Sequence, residues 1–172
     1  MKEDLIKFPS DRDIEKYMKA SRYKFNLFEV VDKMPITAKN DKQILLYKTV
    51  PTHKKAVCYY IVDTNGQIIG VIGVHILGES ISLDAGILPN FRNGGVGVSA
   101  VKAIKKDIFE SSDNRYSKIC RLIIETIHAP AISVAKKCGF KSINDFLYVL
   151  TKFDYFEQKN QSNITLNCDY VK

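Results

Sequence analysis

The chain has 172 residues, 45% of them hydrophobic and 26% charged, with no Trp. That length suits one compact domain with its own core, and the composition excludes a disordered chain, a collagen-like repeat and a coiled coil. Of the 26 basic residues, set against 19 acidic ones, 21 are Lys and five Arg, with no run longer than two; the net charge of +7 therefore reads as solvated surface plus local phosphate chemistry, and nucleic acid is not the expected partner.

No apolar run approaches the ~20 residues of a membrane-spanning helix. The first residues lack the apolar stretch of a secretory signal, so the expected location is the cytoplasm. Cys58, Cys120, Cys138 and Cys168 include no C-x-x-C pair and are expected as free thiols. His53, His75 and His128 are not placed beside them as ligands, so no metal is expected.

In chain order, residues 3–8 suggest a short strand. Ser10–Asp13 suggests a helix start, with Ile14, Tyr17 and Met18 on one face. Tyr23, Leu27, Val30, Val31 and Met34 recur at spacings of three and four, which predicts a second helix stopped by Pro35. The stretch 41–50 fits either a short helix or a strand. Residues 57–62, 67–76 and 81–88 read as three antiparallel strands; Asn65-Gly66 predicts a type I′ hairpin turn between the first two. A helix is expected over 98–110, with Val101, Ile104 and Ile108 facing the core. A strand over 119–126, a short helix over 130–137 ending at Gly139, and strands over 140–143 and 146–153 follow. The division expected is one domain over 1–156 and a polar tail over 157–172. The fold class is α+β, with one mixed, mostly antiparallel central sheet flanked by helices.

The chemistry concentrates in Arg92-Asn-Gly-Gly-Val-Gly97, between a strand and a helix. Glycines let successive N–H groups turn into one concavity, and the helix start adds its orphan donors and positive dipole end. Such a loop suits a phosphate or pyrophosphate. A P-loop would need Lys before Ser99, where Val98 stands. Gly95-x-Gly97-x-x-Ala100 matches the Rossmann variant, with Glu125 as a ribose acid, but a hairpin meander precedes it and too little chain follows.

Arg92-x-x-Gly95-x-Gly97 resembles the Gln/Arg-x-x-Gly-x-Gly/Ala motif of the GNAT superfamily of acyl-CoA-dependent N-acyltransferases. Residues 60–73 resemble that family's second and third strands, 87–91 its approach to the loop, and 131–140 its helix-to-strand segment ending in Gly-Phe; the resemblance spans residues 56–153. It implies acetyl-CoA as co-substrate, held by Ile87, Leu88, Arg92, Asn93, Gly94, Gly95, Val96, Gly97, Val98 and His128. The backbone at Ile87 and Leu88 would pair with pantetheine amides. His128 stands where many members carry Asn, and Ala135 where others carry a Tyr acid. This pattern is similar to the branch that acetylates ribosomal proteins and small amines.

The implied reaction is acetyl transfer from acetyl-CoA directly to a primary amine of a small molecule or a protein N-terminus. An alkyl amine is mostly protonated at neutral pH, so a base must take a proton. Asp84 is the first candidate base and Glu125 the second. Tyr59 and Tyr148 fit ordinary strand tyrosines better than acids, His75 a core or face histidine, and Cys138 a buried structural thiol. Lys102, Lys105, Lys106, Lys136 and Lys137 are placed beside the cofactor groove, chiefly as solvated helix faces. The alternatives are a catalytically silent CoA-binding, protein-interaction module and an aminoacyl-tRNA acetylating toxin. The resemblance also allows a homodimer.

Overall fold

Residues 29–50 and 56–168 are described by the computed structural model; the elements expected over 3–8 and 10–18 lie outside them. The order is β1 (Glu29–Thr37), β2 (Gln43–Val50), β3 (Ala56–Val62), β4 (Ile68–Leu77), β5 (Ser80–Ile87), α1 (Val96–Glu110), β6 (Arg121–Glu125), α2 (Ala129–Lys137), β7 (Lys141–Ser142), β8 (Leu147–Thr151) and α3 (Lys152–Cys168). The strands form a mixed sheet in the order β1-β2-β3-β4-β5-β6-β8-β7, which makes the class α+β as expected. The described residues divide into two compact units: one holds 29–50, 56–73 and 85–100, the other 74–84 and 101–168.

In the first unit, β1 corrects the helix expected across Val30, Val31 and Met34. Those spacings fit a helix, but burial follows a period of two instead: Ile36 and Ala38 are buried while Pro35 and Thr37 are exposed. Pairing with β2 sets Met34 against Leu46 and Ile36 against Ile44, so cross-strand packing overrides the local pattern. Residues 43–50, ambiguous in the sequence, are β2, with Ile44 and Leu46 buried. The β1–β2 connection is a 3-10 turn over Lys39–Asp41. Asn40 and Asp41 both have positive φ there, a conformation that Asn and Asp tolerate better than most residues.

The β3–β4 hairpin is present, but its turn is not type I′. Gly66 alone has positive φ (77°). The Gly66 N–H bonds to the Asp63 carbonyl at 3.0 Å. The buried Asp63 carboxylate accepts from the N–H groups of Asn65 and Gln67, each at 2.9 Å. The side chain of Asp63 therefore closes the loop, as Asx turns do. Tyr60, Val62, Ile68 and Val71 form a buried cluster, with Tyr47, Cys58 and Leu88 packed against it.

In the second unit, Val101, Ile104 and Ile108 are buried, the α1 face that the sequence predicts. The polar stretch expected as a tail from Glu157 is instead helical through Cys168. Two contacts anchor its start to α1: the Tyr155 hydroxyl donates to Glu110, and Lys159 pairs with Glu110 at 2.8 Å. A third ties it to the end of α2, where Gln158 donates to the Gly139 carbonyl at 3.0 Å. Gly139 has a φ of 85°, and a Cβ there would collide with Gln158.

The bond from Lys159, followed by that from Tyr155, holds the Glu110 carboxyl below the ordinary glutamate value of 4.5. A depressed folded value stabilises the fold above the unfolded pKa and loses that contribution as pH falls through the folded pKa. The stability advantage of the native chain over Glu110→Gln should therefore be full above about pH 4.5 and fall away as pH drops through the depressed folded value. Urea unfolding across the acid range measures this; an advantage independent of pH would remove the ion pair as its source.

Candidate functional site

The glycine loop lies between β5 and α1, in the first unit. Asn93 (φ 64°) and Gly95 (φ 75°) both adopt left-handed backbone. Their alternation turns the carbonyls of Asn93 and Gly94 toward the β1–β2 connection. The Lys39 N–H donates to the Gly94 carbonyl at 3.0 Å, and Lys39 Nζ reaches the Asn93 carbonyl at 3.5 Å. The Ser99 hydroxyl donates to the Thr37 carbonyl at 2.8 Å. With its carbonyls so held, the loop leaves the N–H groups of Gly94, Gly95, Val96 and Gly97 without a protein acceptor among the described residues. They stand at the N-terminus of a 15-residue helix, where the dipole favours an anion.

The two glycines at the centre do different work. A Cβ on Gly95 would lie 2.9 Å from Lys39 Cγ, whereas one on Gly94 would meet only the Phe91 carbonyl oxygen at 4.0 Å. Gly95 is thus demanded by the fold, while Gly94 keeps a surface open. Lys39 was not legible as part of this site; the polar run Lys39–Lys42 signals a turn but not what it touches.

Arg92 donates from Nε to the Ile87 carbonyl at 2.9 Å, which ties the loop to the end of its strand. The Leu88 N–H donates to the Ile69 carbonyl at 2.9 Å, and the Leu88 carbonyl accepts from Phe91, also at 2.9 Å. Leu88 is therefore committed within the chain on both backbone groups. The Gly86 carbonyl also faces β4, since it lies 3.0 Å from where a Cβ on Gly70 would stand. Period two then turns the backbone of Ala85 and Ile87 to the opposite edge of β5. The sequence gives no signal for which backbone groups of β5 face that edge, because side-chain chemistry does not report register.

Asp84 and Glu125 belong to the second unit. The parallel ladder pairs Ser80, Ile81 and Ser82 with Arg121, Leu122 and Ile123 and is not continued to Asp84 and Glu125. Asp84 is exposed, and its Oδ1 lies 3.1 Å from His75 Nε2 on β4. His75 is thus no core residue: its side chain is 51% exposed and that of Asp84 71%. Strand alternation hides the pair, because β4 is buried through Val74 and becomes exposed only at His75. Glu125 is exposed at the end of β6, opposite Leu147. His128 is the N-cap residue of α2, and its N–H donates to the Thr126 hydroxyl at 3.1 Å.

Tyr59, Tyr148 and Cys138 are buried; burial pushes the Cys138 thiol up, which suits a structural role. Lys105 is not the solvated helix face expected of it. Its Nζ donates to the Cys138 carbonyl at 2.7 Å, capping the C-terminus of α2, and burial holds its ammonium pKa below the ordinary lysine range. Lys136 and Lys137 occupy the last turn of α2, the opposite end of that helix from His128.

Comparison with known proteins agrees with this geometry. No curated protein matches the chain. Among solved structures, the ribosomal-protein-S5-alanine acetyltransferase from Vibrio fischeri is 15% identical, over 60% of this chain and 65% of that one, with a TM-score of 0.52. A point mutant of the spermidine N-acetyltransferase SpeG from Vibrio cholerae is 13% identical, over 63% and 71%, with a TM-score of 0.51. At these identities the likeness shows a shared fold. The chain spans just under two thirds of the Vibrio fischeri enzyme it matches. Residues 3–141 match the family model of the acetyltransferase (GNAT) domain, with the glycine loop inside the match, and the chain therefore belongs to the GNAT acetyltransferase family.

Proposed function

We propose that this chain is an acetyl-CoA-dependent N-acetyltransferase whose acceptor is a primary amine of a small molecule or of a protein N-terminus. The observation that carries the reading is the glycine loop: four N–H groups without a protein acceptor at the N-terminus of α1, inside the family match. That loop fits the pyrophosphate of CoA in charge and in donor type. Gly94 leaves the approach open, Arg92 and Lys39 hold the loop's shape, and Ala85 and Ile87 offer backbone groups to the pantetheine amides, in place of Leu88. Val98 and His128 complete the proposed set. When bound, acetyl-CoA supplies an activated thioester. The chain itself must orient the amine and take its proton. Asp84, held by His75, is the proposed base, with Glu125 the second candidate.

Thermal unfolding with acetyl-CoA, followed by thiol release across amines, amino sugars, polyamines and N-terminal peptides, tests this. Ligand at a hundred times Kd stabilises by about 2.7 kcal/mol, which for a domain of this size raises Tm by roughly 5–10 °C. Release is expected with at least one acceptor. An unchanged Tm at saturating acetyl-CoA would overturn the co-substrate. A raised Tm without release would favour a silent binding module.

A further inference from the structure

A second charged feature lies wholly within the second unit, and the acetyl-transfer reading does not use it. The C-terminal half of α1, the end of α2 and the middle of α3 enclose a cleft of about 430 Å³. Lys105, Lys106, Lys136, Lys137 and Lys159 line it, against the single carboxylate of Glu110. Three helices thus bring five ammonium groups around one concavity.

Two of the five have a structural explanation. Lys105 caps the α2 carbonyl of Cys138 at 2.7 Å. Lys159 pairs with Glu110 at 2.8 Å; that carboxylate also accepts from Tyr155 and interacts through space with Lys106, so one negative charge faces five positive ones. Lys106, Lys136 and Lys137 are exposed and have no hydrogen-bond or ion-pair partner among the described residues. Lys136 and Lys137 suit the negative end of the α2 dipole, but a dipole end is equivalent to about half a charge and does not account for two adjacent lysines there or for Lys106 lining the same cleft from α1. Like charges gathered around one concavity raise the local potential and favour a multivalent counter-ion.

We propose that this cleft is a binding site for a small polyanion bearing two adjacent phosphate groups. Lysine ammoniums bind phosphate as compact point charges. The volume lies within the ~300–1,000 Å³ of small-molecule sites. Two adjacent phosphates would meet the Lys136–Lys137 pair on one wall and Lys106 on another.

Inorganic pyrophosphate is the probe, titrated calorimetrically at low and at moderate salt. The experiment uses Gly94→Glu protein, in which the glycine loop is closed to anions, beside the native chain. Saturable binding is expected in Gly94→Glu, weakening as salt rises. Adding Lys136→Gln and Lys137→Gln, both exposed positions, should weaken it at least tenfold with Tm unchanged. If Gly94→Glu shows no saturable binding, pyrophosphate occupies only the loop and the cleft proposal fails. Equal affinity with and without the two lysine changes would overturn it as well. Neither result depends on acetyl transfer.

Discussion

Gly94→Glu should weaken acetyl-CoA binding at least hundredfold, a loss of about 2.7 kcal/mol, while leaving the chain folded. The argument rests on the difference between neighbouring glycines. Gly94 does not need positive φ, and a Cβ there meets only the Phe91 carbonyl oxygen at 4.0 Å. The new side chain therefore projects into open space, beside N–H groups proposed to hold a pyrophosphate. It places a carboxylate where negative charge must sit and offers the donors an acceptor of their own. Gly95→Glu would be a poorer test. At φ 75° and 2.9 Å from Lys39 Cγ, any side chain at Gly95 strains the loop whatever binds there. Gly95→Ala should accordingly lower Tm without adding charge, and Gly94→Ala should change Tm little. Calorimetric titration with acetyl-CoA measures the affinity; an unchanged Kd in folded Gly94→Glu would remove the loop as the pyrophosphate site.

The same contrast shows how far the sequence reaches. Glycines at positions 94, 95 and 97 announce a tight turn of the kind that suits an anion, though the packing of Lys39 also demands Gly95, and the strands from residue 57 onward follow from β-branched runs and turn residues. What a sequence cannot display is the partner across space. Residues 29–37 carry helical spacing, and only pairing with β2 makes them a strand. Lys39 lies 55 positions before Gly94 in the chain, yet its backbone N–H holds the Gly94 carbonyl and its ammonium the Asn93 carbonyl. The polar residues beyond Glu157 have no amphipathic pattern to announce a helix, and three anchors, at Tyr155, Gln158 and Lys159, fix it from outside. The basic residues also have partners that the sequence does not display: Lys105 caps a helix C-terminus and is not a solvated helix face. Side-chain chemistry is local information; where a backbone group points, as the Leu88 N–H does to the Ile69 carbonyl, is set by register.

Asp84→Asn should lower kcat by about 10²–10⁴-fold, the usual contribution of a positioned proton acceptor, with the KM for acetyl-CoA nearly unchanged. Asn keeps the shape and the ability to accept from His75 but has no charge with which to take a proton. The side chain of Asp84 is 71% exposed, so the substitution should move stability by no more than about 0.5 kcal/mol, and lost turnover cannot be charged to unfolding. His75 lies 3.1 Å from that carboxylate and, with Asp84 as the proposed base, would act through it as a positioning residue. His75→Ala should cost less, about tenfold, by freeing the Asp84 rotamer, and His75→Gln, which can still donate, should recover much of that loss. The split between kcat and KM separates these roles from a merely structural one. Native turnover in Asp84→Asn would dismiss Asp84 as the base and pass the role to Glu125, for which Glu125→Gln is the corresponding measurement. Native turnover in both would mean that the proton leaves through water, held by backbone groups at the open edge of β5.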